Sequence, residues 1–215
     1  MATKKYHHGD LKNALIKAGI EILSRDGVGG LSLRKAAQAA GVSHTAPYAH
    51  FADKQALIAA ISTEGFRRLF EQLNAVREKY PDDPKRQLVE AAWAYVRFAQ
   101  TDPAHFRVTF SSTVERQRDY PALVEMTARS FGQVTQIVQT CQAAGVLHPG
   151  PVDMQAYSVW SIVHGFTSLL IEEQISHTMT DRMTVGEMLL QALSQVTLVP
   201  IDSRDYPDVA KARRS

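Results

Sequence analysis

The chain has 215 residues, 45% of them hydrophobic and 21% charged, enough to bury a full core in one or two domains. Net charge is only +2, but it is unevenly spread: residues 1–54 hold eight Lys or Arg against four Asp or Glu, and the rest holds sixteen against eighteen. The single cysteine, Cys141, excludes an internal disulfide framework and fits a reducing cytoplasm; no apolar run is long enough to cross a membrane, and the polar start MATKKYHHGD has no signal-peptide core.

In chain order, a basic arm with Lys4, Lys5, His7 and His8 comes first, placed for a backbone or minor-groove contact or simply solvated. Leu11, Leu15, Ala18 and Ile22 then recur at helical spacing and predict a helix that ends near Gly27. Ser32 is a cap-type residue before Leu33, Ala36, Ala37 and Ala40, a helix of about two turns that Gly41 stops by supplying a left-handed position. Ser43 is expected to cap a second short helix carrying His44, Thr45, Ala46, Tyr48 and His50, with Phe51 anchoring its end. Two short helices across a tight glycine turn are the unit that sets its second helix in a DNA major groove. Pro47 sits where it removes an intrahelical bond, so this helix should be short or slightly distorted. Asp53 caps a third helix with Lys54 in its first turn, where backbone amides and a cation converge as a phosphate site would require.

That third helix should run to about Tyr80, where Pro81 and Pro84 break the chain. Further helices are predicted over 85–101, 103–112, 121–144, 152–176 and 184–199, the last opened by a Thr184-to-Glu187 capping box. No strand or repeat is evident. The expected fold is therefore all-α, about nine helices, with a three-helix helix-turn-helix domain at 1–54, a helical regulatory and dimerisation domain at 55–200, and a flexible tail at 201–215.

The runs L-S-L-R-K-A-A, A-G-V-S-H-T-A-P-Y-A-H-F and A-D-K-Q-A-L resemble the amino-terminal domain of TetR-type transcriptional regulators. The resemblance implies that Ser32, Tyr48, His50 and Lys54 contact DNA phosphates and that His44, Thr45 and Ala46 face the bases; Arg34 and Ser43 complete the candidate DNA-binding set. Pro47 departs from the aliphatic residue many members carry there. Downstream, the segment W-S-I-V-H-G-F from Trp160 is similar to the TetR subgroup named for its Trp, His and Gly residues. Trp93, Phe106, Phe110, Phe131, Trp160 and His164 are candidate ligand contacts, each otherwise ordinary bundle core.

The resemblance further implies a homodimer through about 152–176 and 184–199, holding a palindromic operator until a small, largely hydrophobic effector releases it. A constitutive or protein-partnered DNA-binding protein is the competing reading. An enzyme is disfavoured: the histidines form no metal-ligand spacing, and no G-x-S-x-G, Walker or G-x-G-x-x-G motif occurs, so no metal or cofactor is implied.

Overall fold

Ten α-helices and three short 3-10 turns form among residues 8–111 and 113–212, the residues described by the computed structural model. The helices are α1 (His8–Gly30), α2 (Leu33–Ala39), α3 (Lys54–Lys79), α4 (Pro84–Thr101), α5 (Pro103–Phe110), α6 (Pro121–Ala143), α7 (Val152–Ile171), α8 (His177–Thr180), α9 (Val185–Ser194) and α10 (Pro207–Ala210). The 3-10 turns are Ala46–Ala49, Gln117–Asp119 and Ser203–Asp205. Pairing between strands is limited, among these residues, to an isolated antiparallel bridge between Leu147 and Thr197. No described helix is long and apolar enough to cross a membrane.

The chain divides into two compact units, and the division is not the contiguous one expected at residue 54. Unit one is Met1–Phe66 with Asp102–Thr127; unit two is Arg67–Thr101 with Ala128–Ser215. The reason lies in the core of unit one. Leu15, Ile22, Leu31, Leu33, Leu57 and Ile61 of the first segment share it with Val108, Val114 and Leu123 of the second. Two hydrogen bonds add direction to that apolar contact: fully buried His105 donates through Nε2 to the Ile61 carbonyl at 2.8 Å, and Ser62 donates to the Val108 carbonyl at 3.3 Å. Helix α5 itself starts where Asp102 accepts the His105 amide at 3.1 Å and Pro103 needs no partner for a missing N–H.

Unit two is a helical bundle whose ends also follow local chemistry. Thr184 and Glu187 form the expected capping box, with the Glu187 amide on Thr184 Oγ1 at 3.1 Å and the Thr184 amide on Glu187 Oε2 at 2.8 Å. Helices α7 and α9 stop earlier than the sequence pattern suggested, at Ile171 and Ser194. After α9 the chain turns so that Leu198 donates to the Val146 carbonyl at 2.8 Å, which ends the helix in favour of the bridge.

The segment expected as a flexible tail is structured from 203 to 210. Ile201, Tyr206 and Val209 bury their side chains, Lys85 pairs with Asp205 at 3.7 Å, and Thr184 donates to the Ala210 carbonyl. Gly186 makes room for this strap, because a methyl group there would overlap the Val209 carbonyl. Residues 213–215, with Arg213 and Arg214, lie outside the described residues.

Candidate nucleic-acid interface

Helix α2 is set at both ends by its sequence. Ser32 has extended backbone and accepts the Lys35 amide at 3.2 Å, a cap worth about 1 kcal/mol. At the other end Gly41 takes φ 69°, its amide meets the Gln38 carbonyl at 3.1 Å, and the Val42 amide meets the Ala37 carbonyl at 3.0 Å. This paired closure turns the chain sharply and lets Val42 lean on the unit-one core.

The expected second helix is a 3-10 turn, Ala46–Ala49, and Ser43 is not its cap. Thr45 occupies the cap position without a side-chain bond, while the Ser43 and Thr45 hydroxyls meet at 3.2 Å. Pro47 explains the shape. It lies in the first positions of the turn, buried, where its missing amide costs nothing, and its carbonyl accepts from both His50 and Phe51 at 2.9 Å. Buried Phe51 then anchors the end.

This turn leaves Ser43, His44, Thr45 and Tyr48 facing solvent, with Tyr48 62% exposed although it is aromatic, and Ala46 and His50 half-buried. Arg34 and Lys35 are exposed at the first turn of α2 beside half-buried Ser32, and neither α2 nor α3 carries an acidic residue in its first turn. Asp53 caps α3 by accepting the Ala56 amide at 2.8 Å. Lys54 is half-buried and its ammonium donates to the Val28 carbonyl at 2.7 Å. The arm residues Lys4, Lys5 and His7 lie outside the described residues, and so does the side chain of His8.

The aromatic candidates separate into three places. Phe106 and Phe110 belong to unit one, where Phe110 meets Phe66 edge to face at 5.2 Å and Phe106 at 4.9 Å. Phe110 packs against the core of that unit, and neither ring joins the aromatic residues of unit two. Trp93 borders a surface groove of about 380 Å³ with Val76, Tyr80, Arg97 and Asp208. Phe131, Trp160 and His164 do come together in unit two, with ring centroids 6.3 Å apart for Phe131 and Trp160 and 5.5 Å for Trp160 and His164.

Tyr95, which the sequence reading left outside the ligand set, is the centre of that last cluster. Burial pushes its hydroxyl well above the usual phenol range, an effect only partly offset by the Trp160 indole, whose N–H points at the Tyr95 oxygen at 3.4 Å. The phenol therefore keeps its proton and donates it to His164 Nδ1 at 2.7 Å. Burial also lowers the His164 pKa, so the imidazole is neutral and its Nε2 carries the hydrogen, directed at Ser168 Oγ 3.5 Å away. Beside these groups lies an apolar cavity of about 40 Å³ bounded by Leu73, Leu88, Ile137, Val159 and Val163. Among the described residues no group of three or more His, Cys, Asp or Glu could hold a metal ion.

Residues 15–61 match the model of bacterial regulatory proteins of the tetR family, and residues 88–193 match that of the tetracyclin repressor-like C-terminal domain. An uncharacterized HTH-type transcriptional regulator of Bacillus subtilis, YobS, is 24% identical over 166 residues, 77% of this chain and 81% of its own. A solved structure of a Rhodococcus protein of unknown function is 31% identical with TM-score 0.74, covering 90% of this chain and 96% of that one. A tetR-family regulatory protein from the same source has the same fold at 23% identity, TM-score 0.67, with 90% and 98% covered.

Proposed function

Because the chain belongs to the TetR family of helix-turn-helix transcriptional regulators, which are not enzymes, we propose that it is a homodimeric repressor of a palindromic operator, released by a small apolar effector. The carrying observation is the segment 43–50 that follows the capped helix α2: the hydroxyls of Ser43 and Thr45, the His44 imidazole and the Tyr48 phenol face solvent, while Pro47 and Phe51 anchor the segment in the core. His44, Thr45 and Ala46 read base edges. Ser32, Arg34, Ser43, Tyr48, His50 and the Lys54 end of α3 form the phosphate-facing surround. The site of action is then the cytoplasm.

Dimerisation is supported by α7. Met154, Tyr157, Ser158, Ser161 and Leu169 are exposed along one side of it, with Met154 at 64% and Leu169 at 51%, and Gly165 has no atom within 4 Å of where a side chain would begin. Small residues flanked by large apolar ones let a second helix approach closely. Helix α9 buries Val185, Met188, Leu189, Leu190 and Leu193 within its own unit, so α7 supplies the larger free apolar face. Symmetry then spaces two recognition turns about 34 Å apart, one turn of DNA.

The effector site is the Tyr95–Trp160–His164 cluster with its cavity, and the Trp160-to-Gly165 segment supports placement in the Trp-His-Gly subgroup. A cavity of about 40 Å³ is far below the roughly 300 Å³ a drug-sized molecule needs, so an effector binds by spreading the helices. Helix α3 continues from the recognition end into the bundle and would carry that change. The small size of the cavity also favours a second reading, a constitutive or protein-partnered regulator.

Selection of bound DNA from a random pool tests the main claim: a palindromic consensus is expected, and no enrichment sinks it. A metabolite screen for operator release separates the two readings, with complete inertness favouring the constitutive one.

A further inference from the structure

Four side chains of unit two form one hydrogen-bonded line. The Trp160 indole N–H points at the Tyr95 oxygen at 3.4 Å, the Tyr95 hydroxyl donates to His164 Nδ1 at 2.7 Å, and His164 Nε2 directs its hydrogen at Ser168 Oγ 3.5 Å away. Every donor in the line points the same way, so each bond polarises the next. Tyr95 and Trp160 also wall the apolar cavity of about 40 Å³, and among the described residues no charged side chain lines it.

We propose that this cluster selects an uncharged lipophilic alcohol or phenol, whose hydroxyl enters between Tyr95 and His164 while its hydrocarbon part widens the cavity. The proposal rests on the effector reading above. A hydroxyl both accepts and donates. Set between the two side chains, it takes the Tyr95 hydrogen and gives its own to His164 Nδ1, so one bond is exchanged for two and the direction of the line is kept. An ether oxygen can accept from Tyr95 but has no hydrogen to give, which forfeits the bond to His164 Nδ1 and costs about tenfold in affinity. A carboxylate fits less well still. It would lose its water with no cation on the cavity wall, and burial already disfavours the imidazolium that could pair with it.

The test is calorimetric titration of the full-length protein, without DNA, with para-ethylphenol, its methyl ether and para-ethylbenzoate. The phenol is expected to bind about tenfold tighter than the ether, and the benzoate more weakly than either. In His164→Phe, which keeps an aromatic ring but no acceptor, the phenol and the ether should bind alike. The comparison on the unaltered protein decides the matter even where that variant does not fold. A benzoate as tight as the phenol, a phenol-to-ether ratio near one, a ratio that persists in His164→Phe, or no saturable binding of the phenol overturns the proposal. Operator release is measured separately with the same phenol: binding without release sinks the effector reading and leaves the hydroxyl site standing.

Discussion

Pro47 and Thr45 show how much one residue decides at the recognition turn. A proline inside an α-helix costs about 3 kcal/mol, but at the opening of a 3-10 turn it costs little and fixes the backbone that displays its neighbours. Thr45, exposed and joined to Ser43 by its hydroxyl, is the residue proposed above to read a base. Thr45→Val should lose about 1 to 3 kcal/mol of discrimination at one operator position while the salt slope stays constant. Competition binding among single-base operator variants checks this, and equal losses on specific and random DNA would mean the reading face lies elsewhere. His164 gives a second residue-level prediction. Its pKa is lowered from 6.5 by burial, and as a neutral ring it accepts from Tyr95. The unfolded chain therefore binds the extra proton first as pH falls below about 6.5. Stability contributed by the neutral ring is complete above that value and falls as pH drops toward the lowered folded-state pKa. Thermal melting from pH 7 to pH 5 should decline less steeply for His164→Gln than for the wild type; identical slopes would remove His164 as a contributor. Capping residues such as Ser32, Gly41 and Asp53 were legible in the sequence because each acts on amides within a few positions. The Tyr95–His164 pair was not, because its partners are 69 positions apart and nothing local links them.

At the scale of elements, existence was easier to read than ends. Helical periodicity located every long helix, but α7 ended early in a local closure, with Glu173 at φ 57° and the Gln174 amide on the Leu169 carbonyl, and α9 ended early where the Val146 carbonyl took the Leu198 amide. The carboxy-terminal strap was misread for a related reason. Its two short turns have no periodicity to detect, and its stability comes from Lys85, Arg86, Thr184 and Gly186, all distant in sequence. Tyr206 lies under the Lys85 and Arg86 cations at 5.9 and 6.0 Å, which favours a strap held by polar as well as apolar contact. Gly186→Ala should therefore displace α10 instead of stabilising α9, despite the better helix propensity of alanine. Limited proteolysis is the direct measurement: cleavage between 200 and 212 should accelerate severalfold, with a loss of about 1 to 3 kcal/mol in urea unfolding. Unchanged cleavage would show that the strap tolerates a side chain at this position.

At the scale of the molecule, three of the large apolar side chains exposed among the described residues, Met154, Tyr157 and Leu169, lie on α7, and a dimer would cover them. Leu169→Arg places a charge in that face without touching the recognition turn. Sedimentation should then show a monomer at concentrations where the wild type is dimeric, and operator affinity should fall about a hundredfold through lost bivalency. A variant that stays dimeric would move the interface off α7. Domain organisation was the least legible property at this scale, because α5 looks in sequence like one more bundle helix. Only the contacts of Val108, Val114 and Leu123 assign it to the recognition unit. That discontinuity limits how such a regulator can be re-engineered. Grafting the first sixty or so residues onto another sensor would transplant a reading head without part of its foundation. A working chimaera has to carry residues 102–127 as well, so under the proposed function the reading and sensing parts are not interchangeable cassettes.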